Sequence, residues 1–383
     1  MTPSNENPVS RSGETLVAAR NEFTERDFTE ADADTAPLDW AAFQGLVQGV
    51  LDAHFASEGR RASDLSPAFG ELFIHLAGTV AGGKWLRPKL IFRSYAAFGG
   101  RDWKSCSELA AAFEMLHAAL LVHDDVIDRD FVRRGVDTLG AVYRDMATAQ
   151  GFDAPDADHA GHSAAIIAGD LLLTGSLRLA MSAASGHPQG AAILATLHEA
   201  IFAAAAGELD DLLFSLREGS PELPEVLNME RLKTAVYSFE MPLRAGALLA
   251  GESLATADAL AGVGRDIGVA YQVIDDLLGT FGQSAMTGKS VESDLREGKR
   301  TILTTFAAGS DEFTATLAAF RRGDADAEVV RRTLRELGAE ERALDLAQTL
   351  VARALDKADA LALPQSLALE LAHICDHVLA RRS

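Results

Sequence analysis

An apolar helical repeat runs from Leu109 to Leu120 and leads directly into three aspartates, Asp124, Asp125 and Asp128. Large apolar side chains recur in it every three or four positions, which is the spacing of a buried helical face. Because Asp124 and Asp128 are four residues apart, they lie on one face of the helix. Burying like charges so close together is unfavourable unless a cation lies between them. The repeat therefore predicts a buried helix that ends in a divalent-cation site, and a solvated helix end is the alternative.

A second acidic pair, Asp275 and Asp276, follows another apolar segment much further along the chain. Gln272 lies one helical turn before this pair and is predicted to face the same side. Mg²⁺ is commonly shared between one or two carboxylates and the phosphates of a substrate. Two acidic clusters on separate helices can therefore hold one diphosphate through bridging Mg²⁺, provided that the helices face each other. Taken alone, the second pair is more simply interpreted as surface charge.

Positive charge is concentrated locally in a chain whose net charge is −21. Lys84 and Arg87 follow two glycines, and glycine lets the backbone approach an anion closely. Arg133 and Arg134 follow the first aspartates, and the arginine fork binds phosphate through two parallel hydrogen bonds. This pattern predicts a phosphate-binding site within an acidic surface. Such a surface repels nucleic acid and anionic lipid, so we expect no nucleic-acid partner and no stable membrane anchor.

The composition favours helices throughout the chain. Alanine and leucine, the strongest helix formers, dominate, whereas the aromatic residues that favour strands make up only 7%. Residues 1–36 are polar and acidic and are predicted to form a disordered tail. Residues 37–383 are predicted to form a single all-α domain, because 48% of the chain is hydrophobic and can build a large core.

Cysteine usage and hydropathy bear on the cellular compartment. Cys106 and Cys375 are the only cysteines and lie far apart, which indicates neither a disulfide framework nor a zinc site and fits a reducing cytoplasm. The sequence offers no run of about eighteen predominantly apolar residues, so we expect no membrane-spanning helix. The N-terminal segment lacks the apolar core of a secretory signal, which also favours a cytoplasmic location.

Seven short segments occur in order between about residues 40 and 305: GGKWLRP, HDDVIDRDFVRRG, AGDLLL, GELDDL, LKTA, YQVIDDLLG and GKSVESDLREGKRT. In this order they resemble the trans-isoprenyl diphosphate synthase, or polyprenyl synthetase, family, and geranylgeranyl diphosphate synthases within it. The resemblance implies an all-α, isoprenoid synthase-type helical bundle around a deep central cavity, usually assembled as a homodimer. It also implies a prenyltransferase that uses Mg²⁺, with three ions once substrate is bound, to condense isopentenyl diphosphate head to tail with allylic diphosphates.

The resemblance also assigns roles to individual residues. Metal binding is assigned to Asp124, Asp125, Asp128, Asp275 and Asp276. Binding of isopentenyl diphosphate is assigned to Lys84, Arg87, His117 and Arg134. Binding of the allylic diphosphate is assigned to Arg133, Lys233, Thr234, Gln272, Lys289 and Lys299. Catalysis of the condensation is assigned to Asp124, Asp125, Asp128, Arg133, Lys233 and Asp275. Glu208 and Asp211 receive no role in the chemistry.

Several positions depart from the pattern of the family. Trp85 stands where an arginine is frequent, and Gly279 stands where the second acidic motif often has a third aspartate. Ser290 and Glu292 replace the proline and glycine that usually follow the loop lysine. The loss at Gly279 concerns the outer metal ligand only, because the aspartate pair before it is retained.

Product length is predicted from the residues just before the first aspartates, which form the floor of the cavity in this family. Here they are Ala119 and Leu120, and neither is a bulky aromatic that would stop the growing chain early. A run of alanines, residues 203–206, indicates a second helix with little bulk. We therefore predict geranylgeranyl diphosphate or a longer all-trans product.

Three other functions share part of this pattern. A class I terpene cyclase has the first aspartate motif but does not need the isopentenyl diphosphate site that Lys84 and Arg87 predict. A non-catalytic prenyl synthase subunit typically loses the aspartate motifs, which are largely kept here. A metal phosphohydrolase of the His-Asp type would use His123 and Asp124 but would leave the second aspartate pair without a role.

Overall fold

The computed structural model describes residues 38–133, 135–217, 219–282 and 299–381, and these are almost entirely helical. The first helices are α1 (Trp40–Leu65), α2 (Pro67–Val80), α3 (Leu86–Ala97), α4 (Trp103–Ile127), α5 (Leu139–Ala149), α6 (Ala154–Ala184) and α7 (Gly190–Leu216). The later ones are α8 (Leu223–Glu230), α9 (Met241–Leu249), α10 (Leu254–Phe281), α11 (Ile302–Phe306), α12 (Asp311–Arg322), α13 (Ala327–Glu336), α14 (Ala339–Ala360) and α15 (Gln365–Ala380). A π-helix, Arg231–Glu240, joins α8 to α9. The predicted all-α fold is confirmed.

The helical body begins where the sequence becomes apolar. Asp39 caps α1, because its Oδ1 accepts a hydrogen bond from the Ala42 backbone N–H at 2.7 Å. The residues from Asp39 onward form one compact unit. The predicted tail, residues 1–36, lies outside the described residues, and its disorder stays a prediction.

Helix α4 lies in the core of the bundle and carries the apolar repeat. Leu109, Phe113 and Leu116 are completely buried. The helix packs along α6, where Ser176 Oγ donates a hydrogen bond to the Ala112 carbonyl oxygen at 2.7 Å. Burial on this scale fixes the axis of α4, and with it the position of the aspartates at its C-terminal end.

A two-stranded hairpin follows α4. Strand β1 (Val132–Arg133) pairs antiparallel with β2 (Val136–Asp137). Just before it, the Phe131 ring stacks on the His162 ring with centroids 5.0 Å apart, and the Arg144 guanidinium lies 4.3 Å from the same ring centroid. These contacts with α5 and α6 hold the hairpin beside the end of α4, so the arginine in β1 can reach the aspartates.

The π-helix lies against α7 and α10, which approach it through glycines. A Cβ added to Gly207 of α7 would lie 2.1 Å from the Lys233 backbone nitrogen, far inside van der Waals contact. A Cβ added to Gly268 of α10 would lie 2.6 Å from Ala235 Cβ. Because i→i+5 turns make a wider helix than i→i+4 turns, the glycines provide the space that the segment needs.

The two ends of the π-helix are tied to each other by an ion pair. Arg231 donates through Nε and Nη2 to the two carboxylate oxygens of Glu240, at 2.8 and 3.0 Å. Glu240 is 1% exposed and is also paired with Arg265 of α10 at 3.3 Å. Bidentate arginine–carboxylate pairs have a fixed geometry, so the segment is held as a rigid unit. Rare π-helical turns of this kind occur frequently at functional sites.

Helix α15 brings the end of the chain back to α3 and α10. Glu370 binds Lys89 Nζ at 2.7 Å and Arg93 Nε at 3.3 Å, which joins α15 to α3. The same helix therefore connects the glycine-rich segment before α3 to the second aspartate pair on α10.

Three helices are long and apolar enough to cross a membrane, by length and composition only: α4, α6 and α7. The expectation that the sequence contains no such segment was wrong. Alanines and isolated polar residues interrupt any continuous run of large apolar residues, but alanine is apolar enough to keep the mean hydropathy high. In α4, 72% of the apolar 18-residue stretch is buried inside the bundle, whereas 44% of the corresponding stretch is buried in α6 and in α7.

Candidate active site

The first aspartates bind the arginine of the hairpin. Arg133 Nη2 lies 2.5 Å from Asp124 Oδ2, and Arg133 Nε lies 2.5 Å from Asp125 Oδ1. All three side chains are largely buried, with exposures between 12% and 21%. The structure therefore brings together the end of α4 and the arginine that the sequence places just after it.

Burial and positive charge act in opposite directions on these two carboxyls. Burial opposes ionisation of Asp124, but the charges of Lys233, Arg133 and Lys299 outweigh it and lower its pKa to about 2. Burial raises the pKa of Asp125 to about 6, although Arg133 acts to lower it. Asp124 is thus readily ionised, whereas ionisation of Asp125 is disfavoured because nearby positive charge does not fully offset its burial.

Lys233 of the π-helix binds three carboxylates at once. Its Nζ lies 2.6 Å from Asp211 Oδ2, 3.0 Å from Glu208 Oε2 and 3.3 Å from Asp124 Oδ1. Burial disfavours the charged amine, but these three negative charges outweigh it and raise the pKa of Lys233. Lys233 is therefore a fixed positive charge beside the first aspartates.

Glu208 and Asp211 were not assigned a role from the sequence, but they belong to the site. They are three residues apart on α7, so they project from the same face and meet Lys233 together. That spacing was the one signal in the sequence. It could not identify the partner, because Lys233 lies on another element, 22 and 25 residues further along the chain.

The second acidic motif meets the first across a short segment before α11. Lys299 Nζ lies 2.6 Å from Asp128 Oδ2, and the Ile302 backbone N–H donates to Asp276 Oδ2 at 3.0 Å. Three residues of extended chain span at most about 11 Å. One short segment therefore contacts an aspartate of each motif, Asp128 at one end and Asp276 at the other.

Glu230 lies between the acidic groups of α7 and those of α10. It is 6% exposed, and burial raises its pKa well above the ordinary value, with the negative charges of Asp276 and Asp211 adding to the effect. A carboxyl in this environment holds its proton. No sequence signal distinguished Glu230, because a glutamate on a short helix is ordinarily exposed.

Arg381 at the end of α15 contacts the second motif. Its Nη2 lies 2.7 Å from Asp275 Oδ1, and its guanidinium lies 4.2 Å from the Tyr271 ring centroid. The side chain is only 17% exposed. Sequence reasoning missed this residue, because the contact depends on how α15 packs and Arg381 belongs to none of the recognised motifs.

Two of the residues assigned to isopentenyl diphosphate, Arg87 and His117, meet about one turn along the π-helix from Lys233. Arg87 of α3 is 9% exposed, and its Nη2 donates to Ser238 Oγ at 2.7 Å. Its guanidinium lies 4.7 Å from the Tyr237 ring centroid. The Tyr237 hydroxyl lies 3.3 Å from His117 Nδ1. Arg87 and His117 are therefore brought together by two neighbouring residues of the π-helix.

Trp85, which stands where an arginine is frequent in the family, has a structural role in this chain. It adopts a left-handed backbone conformation (φ 48°) directly before α3 and is 3% exposed. Its Nε1 donates to the Gly82 carbonyl oxygen at 2.6 Å, which closes the glycine turn. The tryptophan thus fixes the turn that carries Lys84, whose side chain is exposed.

The remaining predicted residues are placed as follows. Thr234 follows Lys233 in the π-helix and is half-buried, and Gln272 is half-buried on α10, one turn before Asp275. Arg134 and Lys289 lie outside the described residues, as do Ser290 and Glu292. Their assigned roles stay predictions.

The carboxylates of the site fit Mg²⁺ shared with a phosphate group. Within the described residues no three His, Cys, Asp or Glu side chains form a ready-made metal cage. Mg²⁺ does not require one, because it is usually bound through one or two carboxylates together with substrate phosphates and water. Asp124, Asp128 and Asp275 are each matched by a protein cation, so the site attracts positive charge at both motifs.

Comparison with known proteins identifies the family. A family model described as Polyprenyl synthetase matches residues 71–337 of this chain. The chain belongs to the polyprenyl synthetase family. The resemblance predicted from the seven segments is thereby confirmed, and with it the classification as a prenyltransferase enzyme.

Several relatives with named activities belong to the same group. The chain is 35% identical over 231 residues to a geranylfarnesyl diphosphate synthase of Aeropyrum pernix, covering 59% of this chain and 67% of that protein. It is 30% identical over 284 residues to a geranylgeranyl diphosphate synthase of Methanosarcina mazei, covering 73% and 81%. It is 36% identical over 224 residues to a (2E,6E)-farnesyl diphosphate synthase of Mycobacterium tuberculosis, covering 58% and 56%.

Solved structures share the fold. A geranylgeranyl pyrophosphate synthase of Corynebacterium glutamicum, crystallised with isoprenyl diphosphate and magnesium, superposes with a TM-score of 0.81 at 29% identity. The superposition covers 90% of this chain and all of that one. The isoprenoid synthase-type helical architecture predicted from the sequence is therefore confirmed.

Proposed function

We propose that the chain condenses isopentenyl diphosphate head to tail with allylic diphosphates in a reaction that requires Mg²⁺. The observation that carries the proposal is the short segment from Lys299 to Ile302, which binds Asp128 at one end and Asp276 at the other. These two contacts support a site in which the acidic motifs hold one diphosphate from two sides. Membership of the polyprenyl synthetase family supports the same reaction.

In this proposal the aspartates of both motifs hold Mg²⁺ on the allylic diphosphate. Asp124, Asp125 and Asp128 act from α4, and Asp275 and Asp276 act from α10. Bound Mg²⁺ would neutralise negative charge on the diphosphate and make it a better leaving group. The number of ions, three with substrate bound, is part of the proposal.

The cations of the chain stabilise the departing diphosphate directly. Lys233 and Arg133 lie beside Asp124, so positive charge is already present when the allylic carbon–oxygen bond breaks and its electron pair leaves with the diphosphate. The double bond of isopentenyl diphosphate then attacks the allylic carbon. Loss of a proton from the isopentenyl unit, to the released diphosphate, restores a double bond. No nucleophile of the protein is consumed.

The isopentenyl diphosphate is bound by Lys84, Arg87 and His117. Arg87 and His117 lie on α3 and α4 and meet beside Tyr237 and Ser238, about one turn along the π-helix from Lys233. This placement favours a chain-elongating synthase over a terpene cyclase, because a cyclase has no use for a second diphosphate site. We expect the product to be geranylgeranyl diphosphate or longer, supported by Ala119, which is 1% exposed in the middle of α4 and adds little bulk.

The decisive assay uses the purified chain with radiolabelled isopentenyl diphosphate, an allylic primer and Mg²⁺, followed by sizing of the extracted products. Asp124→Asn keeps the shape of the side chain and removes its charge, so turnover should fall by orders of magnitude while circular dichroism still shows a folded helical protein, with a lower melting temperature because Arg133 and Lys233 lose a buried counter-ion. Turnover that does not depend on isopentenyl diphosphate would support a terpene cyclase. Phosphate release without elongation would support a phosphohydrolase, and an inactive chain would support a non-catalytic subunit.

We also propose that the chain is a homodimer. Helices α6 and α7 expose large apolar side chains, including Met181 at 62% on α6 and Phe202, Leu209 and Leu213 at 50% or more on α7. The three α7 residues are seven and four positions apart, so they share one face. A contiguous apolar face of this kind is typical of a protein interface.

The dimer can be tested by light scattering after size-exclusion chromatography. Phe202→Asp should convert the dimer to a monomer, and Phe152→Asp, which alters an exposed phenylalanine before α6, should not. A wild-type monomer at all concentrations would contradict the dimer, and binding of that monomer to lipid vesicles would indicate that the face meets a membrane instead. A cytoplasmic location is part of the proposal and is supported by Cys106 and Cys375, which are buried and unbridged.

A further inference from the structure

Two residues of the π-helix contact the candidate isopentenyl diphosphate ligands without being among them. Ser238 Oγ accepts a hydrogen bond from Arg87 Nη2 at 2.7 Å. Tyr237 lies under the same guanidinium at 4.7 Å and places its hydroxyl 3.3 Å from His117 Nδ1. Ser238 is 1% exposed and Tyr237 is 6% exposed, so neither contact is a surface coincidence.

We infer that Tyr237 and Ser238 are positioning residues that orient Arg87 and His117 toward the diphosphate of isopentenyl diphosphate, an inference that rests on the proposed function. Their roles differ. Ser238 fixes one nitrogen of the Arg87 fork, and the ring of Tyr237 limits rotation of the guanidinium plane through a cation–π contact. The hydroxyl of Tyr237 fixes the imidazole of His117.

The Tyr237 hydroxyl can donate or accept toward His117 Nδ1, and donation sets the tautomer of His117. When the hydroxyl donates its hydrogen to Nδ1, the neutral imidazole carries its own proton on Nε2. Nε2 is then a hydrogen-bond donor, which is what a phosphate oxygen requires. Without that hydrogen bond, the neutral imidazole could carry its proton on Nδ1 instead, and Nε2 would then be an acceptor.

Arg87 retains donor capacity for an anion after these contacts. Its Nε has no hydrogen-bond partner among the described residues, although the nitrogen is buried. Its Nη2 is already fixed by Ser238. A buried guanidinium with one nitrogen anchored and another unsatisfied is ordered in advance for a ligand, which reduces the entropy lost when that ligand binds.

The π-helix is a rigid platform for this task. Its two ends are joined through the Arg231–Glu240 pair, and Gly207 and Gly268 allow α7 and α10 to press directly against it. The same segment carries Lys233 toward the first aspartates. The relative positions of the two diphosphate sites are therefore set by one element.

The experiment compares steady-state constants of Ser238→Ala and Tyr237→Phe with those of the wild type. Loss of a hydrogen bond to a charged group should raise the KM for isopentenyl diphosphate about tenfold in Ser238→Ala. A several-fold rise is expected for Tyr237→Phe, which keeps the ring. The KM for the allylic primer should stay within about twofold, since Lys233 is untouched. Ser94→Ala and Tyr95→Phe are matched controls on α3: each deletes one buried hydroxyl, bonded to Leu243 O or to the Asp102 N–H, away from the Arg87 guanidinium.

A double-mutant cycle distinguishes positioning from general damage. If Ser238 acts through Arg87, Ser238→Ala should have little further effect on the KM for isopentenyl diphosphate in an Arg87→Ala background. Additive effects, or equal losses for both substrates, would overturn the inference. If Ser238→Ala does not fold, Tyr237→Phe decides alone, because it removes a single oxygen. This inference alone is refuted if the wild type elongates and both variants keep the wild-type KM for isopentenyl diphosphate. The proposed function is refuted if the wild type never consumes isopentenyl diphosphate.

Discussion

Replacing Gly207 by alanine tests whether the close approach of α7 and the π-helix positions the site. The added Cβ would lie 2.1 Å from the Lys233 nitrogen, 2.6 Å from Lys233 Cα and 2.7 Å from the Leu232 carbonyl carbon. All three are backbone atoms, so no side-chain rotation can relieve the contact. The two helices must move apart by about 1 Å or more to reach ordinary van der Waals distance.

Two opposing terms set the expected change in stability. Alanine gains about 1 kcal/mol over glycine within a helix, while overpacking typically costs about 1–3 kcal/mol. We expect Gly207→Ala to lower the free energy of unfolding by up to roughly 2 kcal/mol, the difference of the two terms. Gly262→Ala on α10 is the matched control, because an added Cβ there meets nothing within 4 Å. It should raise the free energy of unfolding by about 1 kcal/mol.

The effect on activity should exceed the effect on stability. A displacement of about 1 Å at a positioning element can reduce turnover about 100-fold, and Lys233 moves with the π-helix. Elongation of labelled isopentenyl diphosphate should therefore fall about 100-fold in Gly207→Ala and stay unchanged in Gly262→Ala. Melting by circular dichroism gives the stability change in the same samples. A Gly207→Ala variant that is both more stable and fully active would refute the reasoning.

Three further predictions concern other parts of the site. Arg381→Gln removes a cation 2.7 Å from Asp275 and should lower the Mg²⁺ concentration for half-maximal turnover, because Arg381 competes with the metal; a higher requirement would contradict this. Glu230 has a raised pKa in the fold, so its stabilising contribution is complete below the ordinary pKa and is lost as pH rises toward the folded value. Glu230→Gln should therefore gain melting temperature relative to wild type as pH rises above the ordinary glutamate pKa, and a constant difference would argue against a raised pKa at this buried carboxyl. Ala119→Phe adds a ring at a position that is 1% exposed on α4 and should shorten the prenyl product, and an unchanged product distribution on chromatography would remove Ala119 from the cavity floor.

The central helix and its acidic end could be predicted from the sequence because both depend on local spacing. The repeat from Leu109 to Leu120 indicates a buried helix, and every residue of α4 from Leu109 to Leu116 is buried, with Asp124 following in the same helix. The family resemblance added the second motif and its partners. That information is carried by short segments in order, which survive at about a third sequence identity.

The remaining features depend on contacts between distant parts of the chain. The π-helix could not be predicted, because residues 231–240 have no periodicity that separates i→i+5 from i→i+4 turns. Two further carboxylates of the site, Glu208 and Asp211, are recognisable only once Lys233 is seen beside them. Arg381 reaches Asp275 only because Glu370 holds α15 against α3.

The internal pairing of Asp124 with Lys233 and Arg133, and of Asp128 with Lys299, has a consequence for how the enzyme can be handled. A zinc finger unfolds when its metal is chelated, because its ligands have nothing else to hold them together. Here each acidic group already has an ammonium or guanidinium counter-ion, so loading amounts to ion exchange and is separate from folding. Preparations stripped with EDTA should stay folded through storage and regain full turnover as soon as magnesium is returned.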